Sequence, residues 1–206
     1  INIDSGVTDG EAEGVEITIP YELAEWVKPI GEKIEGSPFK GEFKTNSPAW
    51  TWTEAFSYVN AGIPVVDSGL YGSDRSGTYH SNNDTEEGNS FSKEVFEYAH
   101  KLYGGMTILF DKQTSRTFDY SALFNEMKAS VNSDVIDNAD ELIKAFDNAN
   151  EAAALFKEKS ESVDGDNAEE FNKEANYLFK EITNKKVLFW CGQSVFQYYY
   201  SSMIIL

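Results

Sequence analysis

The chain has 206 residues, and its 35 acidic side chains outnumber 17 lysines and arginines, which gives a formal net charge of −18. Because an acidic chain without a basic stripe repels phosphate backbones, nucleic acid is not an expected partner. Hydrophobic residues make up 41% of the chain, which is enough for a sizeable core in one or two domains. Cys191 is the only cysteine, so an internal disulfide and a thiolate metal cluster are excluded.

The first part of the chain alternates predicted strands and helices. Residues 1–4 predict the end of a strand, and the alternating, β-branched residues 15–20 predict a second strand. Helical spacing of apolar residues over 21–34 predicts an amphipathic helix, in which Pro29 can introduce a kink. Glycines, prolines and serines over 36–49 predict a loop. The opening strand starts abruptly and no signal peptide precedes it, so we expect a fragment of a larger protein.

The next elements continue this α/β pattern. A short helix is predicted over 52–61, with Gly62 as its C-terminal stop, and a short buried strand over 63–69 follows. Residues 67–90 form a long polar segment with almost no periodicity, and long loops of this kind are often functional. A helix is predicted over 90–111, with Ser90 or Ser92 as its N-terminal cap.

The second part of the chain is predicted to be helical. A short helix covers 119–131, and apolar residues at 135–156 and 171–182 recur at helical spacing, which suggests an antiparallel pair of helices. The predicted domains are therefore 1–114, an α/β part, and 115–206, a helical part. The apolar end, 187–206, is interrupted by glutamines, serines and glycine, so a strand pair or an apolar end packed on the core is expected rather than a membrane span.

Two residues in the α/β part carry candidate chemistry. Asp4 follows a strand and precedes a glycine-rich loop, where it can bind a ligand or merely cap a turn. His80 lies in the long loop beside Tyr79 and near Asp84, where it can be a metal ligand or an ordinary surface histidine. His100 falls within a predicted helix and is expected to have no such role.

Four segments in order resemble one family. "INID", "TEAFSYVNAGIPVV", "TYHSNNDTEE" and "YGGMTILFDKQTSRTFDYSALFNEM" are similar, in sequence and spacing, to the glutamate-carboxypeptidase-like zinc metallopeptidases. These are di-zinc exopeptidases whose relatives include the transferrin receptor. The resemblance implies part of a zinc-exopeptidase-type sheet with flanking helices over 1–114. It also implies a transferrin-receptor-like dimerisation domain over 115–206, through which a homodimer can form.

The resemblance assigns roles to particular residues. It implies that Asp4 and His80 each bind one of two zinc ions, and that Tyr79 hydrogen-bonds the tetrahedral intermediate. The parent enzyme would be an aminopeptidase-like enzyme that hydrolyses a peptide substrate through a zinc-bound water. The implied substrate-binding residues are Trp50, Trp52 and Glu54, although the tryptophans can equally pack in the core. Glu54 stands where the family has aspartate, so hydrogen bonds there can differ.

The resemblance also shows what this chain lacks. The family's first histidine ligand, its bridging aspartate and its pair of glutamates precede the position of Asp4 and are not in the chain. We therefore expect the isolated chain to be inactive and to bind zinc weakly or not at all. The alternative hypothesis is a non-catalytic, transferrin-receptor-like scaffold or binding module. A third hypothesis is an unrelated acidic α/β domain. An extracellular or cell-surface location is expected.

Overall fold

A mixed four-stranded sheet organises the first part of the protein. The computed structural model describes residues 1–3, 10–49, 53–72, 81–85, 87 and 90–190. The strands are β1 (Asn2–Ile3), β2 (Gly14–Thr18), β3 (Lys44–Asn46) and β4 (Asp67–Tyr71), in the order β1-β4-β2-β3. β4 runs parallel to β1 and antiparallel to β2, and β3 runs parallel to β2. The α/β class predicted from the sequence is confirmed at this level.

Six helices are formed by the described residues. They are α1 (Tyr21–Lys33), α2 (Ala55–Asn60), α3 (Lys93–Asp111), α4 (Tyr120–Ala129), α5 (Ala139–Glu161) and α6 (Ala168–Trp190). Ser92 begins α3, since its Oγ accepts from the backbone N–H of Val95 at 3.3 Å, and Asp119 begins α4 by accepting from the N–H of Ser121 at 3.1 Å. A side-chain acceptor at these positions satisfies a backbone donor that the first turn leaves unpaired. Pro29 lies within α1, as predicted.

The main core joins the sheet to helices from both parts of the chain. Ile17 and Ile19 are fully buried, and the same apolar cluster contains Leu102 of α3 and Phe179 of α6. Phe118, between α3 and α4, stacks on Phe179 with ring centroids 5.0 Å apart. The core therefore includes residues on both sides of the predicted boundary at 114/115, and the division into two domains stays a prediction.

The helical part packs differently from the predicted pair. α5 lies against α4, with the Tyr120 and Phe156 rings 5.4 Å apart and a hydrogen bond from Asn150 to Asn125. α5 and α6 stack near the turn that joins them, where the Phe156 and Phe171 ring centroids are 5.6 Å apart. The break predicted over 162–167 is confirmed, but the apolar face of α5 packs largely against α4.

Three element boundaries differ from the sequence prediction. The expected loop over 36–49 contains β3, and the strand expected from residue 63 begins at Asp67, so the first residues of the expected 67–90 loop are strand. Residues 187–190 continue α6 instead of starting a strand pair, and 191–206 lie outside the described residues. Among the described helices, none has the length and apolar character needed to cross a bilayer.

Candidate functional site

The parallel pair of β1 and β4 defines the candidate site. Asn2 is in register with Asp67, and Ile3 with Ser68. Because β1 and β4 run parallel, their carboxyl ends point towards the same edge of the sheet. The segment after β1 starts with Asp4, and the segment after β4 contains the "TYHSNNDTEE" motif. In sequence, Asp4 directly follows β1, and the motif begins seven residues after Tyr71, the last residue of β4.

A buried carboxylate holds the two strands together. Asp67 is 6% exposed, and its Oδ1 accepts a hydrogen bond of 2.9 Å from Nδ2 of Asn2. The backbone N–H of Asn2 also donates to the carbonyl oxygen of Val66 at 2.7 Å. Burial of a carboxylate is costly without such a partner. These two bonds fix the relative position of β1 and β4 and therefore the points at which the following segments begin.

The helix α3 is fastened to β4 by a buried hydroxyl pair. Ser68 Oγ and the phenol oxygen of Tyr103 are 3.0 Å apart. Burial raises the pKa of Tyr103, an effect that the hydrogen bond from Ser68 opposes in part. The phenol is therefore neutral at ordinary pH and serves as a structural hydrogen-bonding group.

The "TEAFSYVNAGIPVV" segment forms α2 and a glycine turn. The N–H of Gly62 donates to the carbonyl of Val59, and that of Ile63 to the carbonyl of Tyr58, both at 2.9 Å. This pair of bonds is a Schellman motif, and its left-handed position is taken by Gly62 at φ +78°. The predicted glycine stop is confirmed.

Glu54 is the one predicted substrate-binding residue that the structure describes. It immediately precedes α2, its side chain is exposed, and its carbonyl accepts the N–H of Ser57 at 3.1 Å. The carboxylate makes no hydrogen bond to the first turn of α2. Its position is compatible with contact to a ligand from solvent, and no measured contact assigns it that role.

The two histidines of the chain lie in different surroundings. After His80, residues 81–85 are exposed and form a tight turn, in which the N–H of Asn83 donates to Ser81 Oγ at 3.1 Å. His100 lies on the exposed side of α3, where its Nδ1 is 2.8 Å from the carbonyl oxygen of Phe96. The expectation that His100 is an ordinary helix-surface residue agrees with this contact.

The remaining predicted site residues lie outside the described part of the chain: Asp4, Trp50, Trp52, Tyr79 and His80. Within the described ranges, no three histidine, cysteine, aspartate or glutamate side chains are grouped so that they could hold a metal ion. Since catalytic zinc takes three protein ligands, the described donors do not by themselves fit a zinc site. The zinc prediction therefore depends on Asp4, His80 and ligands that precede Asp4 in the family.

A cavity that the sequence did not predict lies at the other end of the strand pair. Its volume is about 700 Å³, and Ile1 and Val66, which directly precede β1 and β4, are in its wall together with Arg116. The sequence offered one signal, since Arg75 and Arg116 are the two arginines of the chain. The rarity of arginine does not predict that Arg116 lines a cavity. The elements that line this cavity are far apart in sequence, so their meeting leaves no local sequence signal.

Comparison with known proteins adds no relative: no family model matches the chain, and no curated protein or solved structure is significantly similar to it. The resemblance to the zinc metallopeptidases thus depends on the four ordered segments.

Proposed function

We propose that this chain is the C-terminal part of a zinc-dependent exopeptidase of the aminopeptidase type. The observation that supports the proposal most directly is the parallel pairing of β1 and β4. Asp4 and His80 belong to the segments that follow these two strands, which is where ligands gather in sheets with parallel strands. Carboxylate oxygen and imidazole nitrogen are both ordinary zinc ligands.

In this proposal each residue has a separate task. Asp4 and His80 bind one zinc ion each, and the preceding part of the parent protein supplies the remaining ligands. Bound zinc would supply Lewis-acid activation of water and of the scissile carbonyl. Tyr79 donates its phenol hydrogen to the oxygen on which negative charge develops. The Asn2–Asp67 bond holds β1 and β4 in register with each other.

The helical part is proposed to mediate dimerisation. Leu155 on α5 and Tyr177 on α6 are 68% and 61% exposed, so both helices offer large apolar side chains beyond those used in the core. Tyrosine, the residue at position 177, is one of the residue types enriched in protein interfaces.

The deciding experiment measures aminopeptidase activity of the longer parent protein, with and without a chelator, for the wild type and His80→Ala. We expect the chelator and His80→Ala to abolish activity alike. His100→Ala is the matched control, because it removes an imidazole from the exposed side of α3 and should leave activity unchanged. Activity that is indifferent to both treatments would refute the zinc mechanism. A zinc-loaded parent without peptidase activity would favour the non-catalytic scaffold.

A second measurement uses the 206-residue chain itself. Isothermal titration with zinc chloride should show weak uptake or none, since two ligands do not complete a catalytic site. Tight, stoichiometric uptake that His80→Ala removes would show that the chain holds a complete metal site and would contradict the proposal that essential ligands lie in a preceding segment.

A further inference from the structure

The cavity at the amino ends of β1 and β4 has the size and the walls of a small-molecule site. Its volume of about 700 Å³ lies within the range of about 300–1,000 Å³ that is usual for ligand pockets. Ile1, Ile63, Pro64 and Phe110 supply accessible apolar surface, whereas Val66 and Phe118 lie behind it and are almost completely buried. The cavity is lined by α1, the turn before β4, the end of α3 and α6, and it is partly open to solvent. Its walls therefore come from both the sheet part and the helical part of the protein.

The charge of this cavity is opposite to that of the protein. Arg116 is its one charged lining residue, and no aspartate or glutamate is among the described residues of the wall. The chain as a whole has a formal net charge of −18. Among the described side chains, no carboxylate lies within ion-pair distance of the Arg116 guanidinium. An arginine kept from acidic neighbours in so acidic a chain is available to an anion from outside.

The position of Arg116 is fixed by its backbone. Its N–H donates to Oδ1 of Asn172 at 2.7 Å, and Nδ2 of the same asparagine donates to the carbonyl of Thr114 at 2.8 Å. Asn172 therefore clamps the segment before Phe118 to α6 through two hydrogen bonds. The side chain of Arg116 takes no part in this clamp, so its removal leaves the clamp intact.

A second donor stands beside the arginine. Nε2 of Gln113 donates to Oγ1 of Thr117 at 2.7 Å, and both residues line the cavity. Because the Thr117 oxygen accepts this bond, its own hydroxyl hydrogen remains for another acceptor. Asn176 of α6 adds an amide to the same wall. Cationic and neutral donors are thus combined with apolar surface in one cavity.

We propose that this cavity binds a small amphipathic carboxylate. The carboxylate accepts paired hydrogen bonds from the Arg116 guanidinium, whose planar fork matches its geometry, and a further bond from Thr117. The apolar body of the ligand lies against Phe110, Ile63 and Pro64. A highly charged phosphate is disfavoured, because the cavity offers one cation and mostly apolar walls.

The test compares two probes of the same shape by isothermal titration against the full chain. 4-Phenylbutyrate carries the carboxylate, and 4-phenylbutan-1-ol carries a neutral hydroxyl on the same apolar body. We expect saturable binding of the carboxylate at about tenfold lower Kd than the alcohol, the usual advantage of a charged hydrogen-bond pair. Arg116→Gln should remove this difference and leave the affinity for the alcohol unchanged.

Lys112→Gln is the matched control, since it deletes one positive charge from an exposed position at the end of α3 that does not line the cavity. It should retain the preference for the carboxylate. Arg116→Lys keeps the charge and loses the fork, and we expect an intermediate affinity; it also replaces Arg116→Gln should that variant unfold in circular dichroism. Absence of saturable 4-phenylbutyrate binding, equal affinity for both probes, or equal effects of the two glutamine variants would each overturn the proposal.

Discussion

Phe179→Ala tests whether the sheet and the helical part unfold as one unit. Phe179 on α6 is fully buried, and its ring stacks on Phe118 at 5.0 Å between centroids. Loss of a buried phenylalanine side chain costs ~3–5 kcal/mol of unfolding free energy, of which the aromatic pair accounts for ~0.5–1.5 kcal/mol. Since domains are stable by only ~5–15 kcal/mol, this is a large share of the total.

The assay combines urea unfolding, followed by far-ultraviolet circular dichroism, with native-state hydrogen exchange of individual amides. We expect Phe179→Ala to lower the protection of Ile17 in β2 as well as that of α6, because Ile17 and Phe179 belong to one core cluster. Glu174→Ala is the control, since this residue of the same helix is exposed and should cost no more than ~0.5 kcal/mol. Equal losses for the two variants, or a loss of protection confined to α6, would refute the shared core.

Two further predictions concern a glycine and a titrating phenol. Gly62→Ala should destabilise the protein by more than ~1 kcal/mol, because Gly62 has φ +78° and an added Cβ would lie 2.7 Å from Lys180 Cα. Gly104→Ala is in an exposed part of α3, where an added Cβ would have nothing within 4 Å, and should stabilise the protein by ~0.5–1 kcal/mol. Equal changes in the free energy of urea unfolding for the two variants would contradict this. Burial, and then the charge of Glu126, raise the pKa of Tyr21 to about 12. Unfolded tyrosine loses its proton near pH ~10, whereas folded Tyr21 keeps its proton to a higher pH. The free energy of unfolding therefore falls as the pH rises from ~10 to ~12. In a titration followed by nuclear magnetic resonance, Glu126→Gln should lower the pKa of Tyr21, and an unchanged value would contradict the assigned contribution of Glu126.

Helices were predicted better than strands for a physical reason. The apolar stripe and the N-terminal cap that predict α3 depend only on residues close together in sequence. Of the two predicted caps, Ser90 and Ser92, the structure shows Ser92. β3 has three residues and exists because Lys44, Thr45 and Asn46 pair with β2, a segment about thirty residues away. The start of β4 is set in the same way, since Asp67 is the first residue with a partner in β1. Pairing partners distant in sequence leave no periodic signal in the strand itself.

The candidate site itself stays a prediction, and the structure describes only the framework beside it. The order of the motifs identified the two segments that follow β1 and β4, and the structure adds that these strands are parallel neighbours joined through Asn2 and Asp67. Asp67 carried no signal of this role, because its partner lies 65 residues away. The zinc assignment to Asp4 and His80 stays a prediction, since both residues lie outside the described ranges.

The predicted domain boundary at 114/115 lies in a segment, 112–118, that has many contacts for a boundary. Ser115 Oγ donates to the carbonyl of Ser160 in α5 at 2.7 Å, and Arg116 is bonded to α6. Directly after the segment, the N–H of Asp119 donates to the carbonyl of Glu22 in α1 at 2.8 Å. Boundaries between independent domains are usually exposed and crossed by few contacts. If Phe179→Ala lowers the hydrogen-exchange protection of Ile17 in β2, the segment 112–118 belongs to the shared core. The Arg116 cavity then forms only when the sheet and the helical part fold together.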